Sequence, residues 1–288
     1  MKRIQLNDHI FPYLEDGSGS PLILVHGSLN DYRSWGEQVT PFAEKYHVIA
    51  YSRRYHYPDQ PTATITDYSF SLHADDLIAL IEALKLAPAN IVGASYGGYS
   101  ALLTALKKPD LVKTMVLVEP PVLPLLLSDV KNPLQILLLL LKNFSAGRSF
   151  LNFGMKALEP AKKRFNKGYI KEGIRLFTNG VLGKGSYEEL SEEVKASLLD
   201  NAPALRAELF GPGFPPDFPK KEAARLQIPT LLVKGSDSPR FFHAIADELD
   251  RLLPLSHQIV VPDTSHDIHQ QQPEAFNEQV FRFLSRHN

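Results

Sequence analysis

The stretch Asn90-Ile91-Val92-Gly93-Ala94-Ser95-Tyr96-Gly97-Gly98-Tyr99 constrains the fold more than any other part of this 288-residue chain. A short β-branched run leads into Gly-x-Ser-x-Gly, and a helix-forming run, Ala101-Leu102-Leu103-Thr104-Ala105-Leu106, leads out of it. A serine at so sharp a strand-to-helix turn is held in a strained backbone conformation. Gly93 and Gly97 are needed beside it because a Cβ at either place would strike neighbouring backbone. The turn lifts the Ser95 hydroxyl clear of a sheet and puts the Tyr96 amide at a helix N-terminus, where it can stabilise a developing oxyanion. Ser95 therefore reads as a nucleophile. The plain alternative is a Gly-rich connection carrying an ordinary serine, and the strand-turn-helix context argues against it.

Strand and helix signals alternate around this turn. Pro21-Leu22-Ile23-Leu24-Val25 and Tyr46-His47-Val48-Ile49-Ala50-Tyr51 are short apolar runs, separated by a segment that ends in a helical pattern near Val39 to Ala43. Leu77, Leu80, Ile81 and Leu84 follow the spacing of an amphipathic helix. Val112 to Val118 reads as a further strand, stopped by Pro120-Pro121. Alternation resumes at Ile228 to Gly235, with a periodic helix through Phe242, Ile245, Leu249 and Leu252, a strand Gln258-Ile259-Val260-Val261, and a closing helix from Pro273 to Leu284. Such a pattern predicts an α/β fold, a mostly parallel twisted sheet flanked by helices. Residues 120–227 differ: they carry helical patterning, basic patches and the proline-rich Pro212-Gly213-Phe214-Pro215-Pro216-Asp217-Phe218-Pro219, with no clear strand. The expected organisation is a core of residues 1–119 and 228–288 with a helical insertion, 120–227.

Several function classes are disfavoured by composition. The 31 basic and 32 acidic residues leave a net charge of -1, no electrostatic case for nucleic acid or an anionic membrane. No cysteine is present, which excludes disulfides, thiolate metal sites and cysteine nucleophiles. The N-terminal residues lack the apolar core of a signal peptide, and a cytoplasmic location is the expectation. The leucine-rich run Pro133 to Leu141 is far shorter than the ~18–20 apolar residues of a membrane span. Leucines on several faces of one helix predict burial in the core, or else an apolar face presented to a ligand or partner. No metal or other cofactor is expected: His266-Asp267 with His269 has no third clustered ligand, and the glycine-rich stretch matches no nucleotide motif.

Ligands of open parallel sheets bind at the carboxyl ends of the strands. Four polar features fall there: His26-Gly27-Ser28, Ser95, Glu119 with Asp237, and His266. Ser95 needs a base, and histidine suits the task because its ordinary pKa of ~6.5 allows proton shuttling near neutrality. Of the ten histidines, His266 follows the last strand on a loop, with His269 its main rival. Both Glu119 and Asp237 lie between Ser95 and His266 in the chain, so the order Ser…Asp/Glu…His does not choose between them.

These residues together resemble the α/β-hydrolase fold family, in its subgroup with a helical cap. The resemblance is carried by the His26-Gly27 turn, the Gly93-Ala94-Ser95-Tyr96-Gly97-Gly98 elbow, Glu119-Pro120-Pro121, the Gly235-Ser236-Asp237 loop, and His266 followed seven residues later by Pro273-Glu274-Ala275-Phe276. It implies His266 as the catalytic base, the amides of Ser28 and Tyr96 as oxyanion donors, and residues 120–227 as the cap. It leaves the acid open between Glu119, at the end of the sixth strand, and Asp237, one residue early in the seventh-strand loop; the Val-Glu-Pro-Pro setting favours Glu119. The family's Asp-x-Arg-Gly-x-Gly loop is replaced by Ser52-Arg53-Arg54-Tyr55-His56-Tyr57-Pro58, which is expected to form a solvated surface turn, with substrate contact by Arg53, Arg54 and His56 the alternative.

The activity this implies is that of a serine hydrolase acting, through an acyl-enzyme on Ser95, on a largely apolar small-molecule ester, lactone or thioester. A carbon–carbon bond hydrolase and a cofactor-free perhydrolase would use the same residues. A slow-turnover ligand receptor and an interaction protein docking through its leucine-rich cap are the readings from other classes. The expected partner is a hydrophobic small molecule, with no nucleic acid and no stable membrane insertion.

Overall fold

The computed structural model describes residues 1–59, 65–211 and 218–287. Its strands are β1 (Lys2–Leu6), β2 (His9–Asp16), β3 (Ser20–Val25), β4 (Tyr46–Tyr51), β5 (Ala89–Ala94), β6 (Val112–Val118), β7 (Thr230–Gly235) and β8 (Ser256–Val261). They form one eight-stranded sheet in the order β1-β2-β4-β3-β5-β6-β7-β8. From β4 to β8 every neighbour is parallel, whereas β1 and β2 add an antiparallel edge.

The unbroken apolar runs of the central strands follow from burial on both faces, as a parallel sheet requires. Ile23, Ile91, Leu117 and Leu232 point into one hydrophobic layer, and their chain neighbours Leu22, Val92, Val116 and Leu231 into the other. The first layer is completed by α2 (Phe70–Ala83), α3 (Tyr96–Lys107) and α12 (Arg240–Leu252), the second by α1 (Gly36–Ala43), α13 (Ile268–Gln271) and α14 (Pro273–Ser285). The helix and strand patterns predicted from β3 onward are thus found in place. The β1–β2 hairpin was not anticipated. Lys2, Arg3 and Gln5 of its first strand are at least partly exposed, so the run lacks an apolar signature.

Between β6 and β7 the described residues hold only helices: α4 (Pro133–Lys142), α5 (Phe144–Phe153), α6 (Glu159–Asn166), α7 (Ile170–Leu182), α8 (Ser186–Glu189), α9 (Glu192–Asp200), α10 (Ala202–Phe210) and α11 (Lys220–Ala223), with a π turn before α6. Most of the proline-rich stretch, residues 212–217, lies outside the described residues. A third, smaller hydrophobic cluster, including Phe165, Ile174, Leu198 and Leu205, holds this helical segment together and reaches Leu29 of the sheet side.

One expectation is corrected here. The leucine-rich helix α4 is not core: Leu134, Leu137, Leu138 and Leu141 are half or more exposed, and only Leu139 is buried. The helix packs on α5, where Gly147 sits against Leu140, and the leucines of its opposite face stay exposed. Among the described residues no helix is long and apolar enough to cross a membrane.

Candidate active site

β5 ends at Ala94 and α3 begins at Tyr96, which leaves Ser95 alone between them at φ 49° and ψ −118°. This left-handed backbone is unfavourable for a side chain with a Cβ, and the surroundings enforce it. The Ser95 amide donates to Val118 O across to β6 at 2.8 Å. A Cβ on Gly93 would come within 2.7 Å of Gly97 O, and one on Gly97 within 2.3 Å of Val25 O. The two glycines let strand and helix cross closely enough to turn within one residue. The Tyr96 amide is in the first turn of α3, among those a helix leaves without an internal acceptor.

Glu119 stands directly after β6, also at positive φ (43°), with its amide donating to Val233 O at 3.1 Å. Both of its carboxylate oxygens are engaged. Oε1 accepts from the Gly235 amide at 2.9 Å, and Oε2 lies 2.6 Å from His266 Nδ1. Glu119 is 1% exposed and His266 8%, so the pair sits in a low-dielectric setting where the hydrogen bond is strong. Because Nδ1 faces a carboxylate it carries the proton, which leaves Nε2 as an acceptor. Phe242 stacks on the imidazole with ring centres 4.2 Å apart and fixes its plane.

The other sequence candidates lie apart from this pair. Asp237 is exposed, and its carboxylate accepts from Ser236 Oγ at 3.1 Å. His269 is buried, its ring 4.2 Å from that of Trp35 and its Nδ1 3.5 Å from Asp267 Oδ1. Burial holds its pKa below the ordinary histidine value.

Ser95, His266, Ser28 and Tyr96 all border one cavity of about 750 Å³. Its walls are chiefly apolar, with Leu127, Phe150, Phe153, Val181 and Leu182 from the helical segment and Phe241 from α12. A polar wall residue escaped the sequence reading. Glu208 of α10 accepts from Ser28 Oγ at 2.8 Å, and its Oε2 is sealed from solvent with no hydrogen-bond partner among the described residues. Burial raises its pKa to about 7, against the Ser28 hydrogen bond and the nearby Arg53, which lower it. The sequence offers only a spacing, Glu208 falling four residues after Ala204 and three after Leu205; their full burial puts the acid on the inward face of α10.

The loop after β4 also departs from expectation. It is not a solvated turn: Arg53, Arg54 and His56 are each at most 3% exposed. Arg54 grips both oxygens of Asp76 on α2 at 2.9 and 2.7 Å and reaches Asp8 at 2.8 Å. His56 bonds Asn30 O at 2.7 Å, and burial holds its pKa well below the ordinary value. Arg53 turns under the cavity floor, donating to His26 O and Gly27 O at 3.0 Å each. These polar groups remain buried because backbone and carboxylate partners await them, a pairing invisible in the local sequence.

The family described as alpha/beta hydrolase fold matches residues 20–273 of the chain. An (E)-2-((N-methylformamido)methylene)succinate hydrolase of Acinetobacter baylyi is 35% identical over 119 residues, 41% of this chain and 44% of that relative, so the match spans less than half of its length. A 2-(acetamidomethylene)succinate hydrolase of Mesorhizobium japonicum is 24% identical over 289 residues, 98% of this chain and 94% of that one. Among solved structures, a meta-cleavage product hydrolase from Pseudomonas fluorescens superposes with a TM-score of 0.74 at 20% identity, covering 100% of this chain and 98% of that one.

Proposed function

The chain belongs to the α/β-hydrolase fold family, and on that footing we propose that it is a serine hydrolase forming an acyl-enzyme on Ser95. One observation carries the reading. A serine on a strained strand-to-helix turn opens into the same apolar cavity as a histidine whose far nitrogen is 2.6 Å from a buried carboxylate. His266 Nε2 takes the Ser95 Oγ proton as Oγ bonds to the acyl carbon, and Glu119 stabilises the imidazolium without taking its proton. The Ser28 and Tyr96 amides hold the oxyanion of the tetrahedral intermediate. His266 returns the proton to the leaving group as its bond to the acyl carbon breaks. Water, deprotonated by the same imidazole, then bonds to the acyl carbon; the Ser95 Oγ–acyl bond breaks, His266 returns the proton to Oγ, and the acid leaves.

The helices between β6 and β7, residues 120–227 in our division of the chain, act as a cap over the sheet edge that carries these groups. Their apolar side chains line the cavity and suit a largely hydrophobic ester, lactone or thioester. The test is a panel of p-nitrophenyl esters of graded acyl length, with lactones and thioesters beside them and Ser95→Ala as control. Serine-dependent turnover that improves with acyl length supports the reading. Turnover that survives in Ser95→Ala contradicts it.

A further inference from the structure

Arg53 is a buried cation (1% exposed) with no carboxylate at ion-pair distance among the described residues. A charge taken out of water is costly unless its hydrogen bonds are well made. The Arg53 side chain donates to the carbonyls of the His26-Gly27 turn and to Tyr68. Nε donates to His26 O at 3.0 Å, Nη2 to Gly27 O at 3.0 Å, and Nη1 to Tyr68 Oη at 3.2 Å. Its own amide donates to His26 Nε2 at 2.9 Å, so His26 carries its proton on Nδ1, and that Nδ1 donates to Gly27 O at 2.8 Å. Burial and the Arg53 charge hold the His26 pKa well below the ordinary value, so the ring remains neutral and keeps this tautomer. The Arg53 guanidinium also lies 4.5 Å from the centre of the Tyr96 ring.

Gly27 O belongs to the same peptide unit as the Ser28 N–H. In a trans peptide the carbonyl and the N–H point in opposite directions. Donors gathered on the carbonyl therefore leave the N–H directed away from them, and Gly27, Ser28 and Ser95 line one cavity. Gly27 is close enough for this: a Cβ on it would lie 3.2 Å from Ser95 Cβ. Hydrogen bonds to a carbonyl shift the amide toward its charge-separated resonance form and strengthen the N–H as a donor.

We infer that Arg53 is a positioning residue of the oxyanion hole, which with His26 holds and polarises the Gly27–Ser28 peptide so that the Ser28 N–H binds the tetrahedral oxyanion more strongly than it binds the substrate carbonyl. The inference rests on the reading of Ser28 N–H as an oxyanion donor. It places the effect in the transition state, where preorganised dipoles lower a barrier, and not in substrate affinity. An arginine that only braced the loop would affect stability and leave the two affinities in step.

The experiment uses p-nitrophenyl butyrate for turnover and a butyl trifluoromethyl ketone, which forms a reversible tetrahedral adduct with the serine, for oxyanion affinity. Arg53→Met keeps length and loses charge and donors; Arg53→Lys keeps the charge but offers one donor head in place of the fork. For Arg53→Met, kcat should fall about 30-fold, less than the 10²–10³ cost of deleting an oxyanion donor outright, with KM nearly unchanged. The ketone's inhibition constant should rise by the same factor, while inhibition by butyrate stays constant. Arg53→Lys should lose about fivefold in both kcat and ketone affinity. A folded Arg53→Met enzyme with wild-type kcat, or one whose kcat falls without loss of ketone affinity, overturns the inference. If Arg53→Met does not fold, Arg53→Lys decides: parallel losses support the inference, and wild-type values for both overturn it. Butyrate ester turnover that survives Ser95→Ala would overturn the hydrolase reading itself, and this inference with it.

Discussion

His266 Nδ1 and Glu119 Oε2 stand 2.6 Å apart although 147 positions separate the two residues in the chain. The contact is possible because β6 and the segment after β8 end at the same edge of the sheet, and the positive φ of Glu119 turns its carboxylate along that edge. A second bond from the Gly235 amide to Oε1 keeps the carboxylate from rotating away.

Glu119→Gln should therefore cost far more than Asp237→Asn. The first removes the charge facing imidazolium and the tautomer control, for an expected loss of up to ~10⁴ in turnover by analogy with a triad Asp→Asn change. The second alters an exposed turn carboxylate and should cost less than about tenfold. Steady-state kinetics on an activated ester separates them. A large loss confined to Asp237→Asn would transfer the acid role to that residue.

His266→Ala should nearly abolish turnover, while His269→Ala should act on stability. The His269 ring is packed on Trp35, and removing it leaves a cavity worth about 2–4 kcal/mol. Its turnover, measured well below its melting temperature, should stay within about tenfold of wild type. Equal losses in the two variants would undo the assignment of His266 as base.

How much of this was legible in the chain depends on the range of the interaction. β3 to β7 and the elbow could be read because buried parallel strands need continuous apolar runs and the turn needs Gly93 and Gly97 at fixed offsets. Glu119 was favoured over Asp237 only by its Val-Glu-Pro-Pro setting, since a one-residue difference in loop path decides which carboxylate meets His266. The burial of Arg53, Arg54 and His56 was missed because their partners, Gly27 O, Asp76 and Asn30 O, come from distant segments. The exposed stripe on α4 was legible only as the alternative to burial, for the converse reason: apolar periodicity records that a face is apolar, not whether anything covers it.

Glu208 gives a pH-dependent stability with a definite sign. Its folded-state pKa of about 7 lies above the ordinary ~4.3, so the native state holds the proton more tightly than the unfolded chain does. Stability contributed by the neutral acid is complete below about pH 4 and is lost as pH rises through about 7. Glu208→Gln keeps the Ser28 contact and cannot ionise. The melting temperature of this variant relative to wild type should thus rise between pH 5 and pH 8, by about 3 °C or more. A difference that stays flat across that window would show that the Glu208 carboxyl is not held neutral by the cavity.

The central claim is a covalent acyl group on Ser95, and quenched-flow mass spectrometry tests it most directly. Wild-type enzyme mixed with p-nitrophenyl butyrate and quenched in acid within the first turnover should gain the mass of one butyryl group, located by digestion on the peptide carrying Ser95. Ser95→Ala should gain none and lose about 10⁶ in turnover, as a serine protease does when its nucleophile is removed. Turnover of the ester with no adduct on Ser95, or an adduct on another residue that persists in Ser95→Ala, would contradict the account.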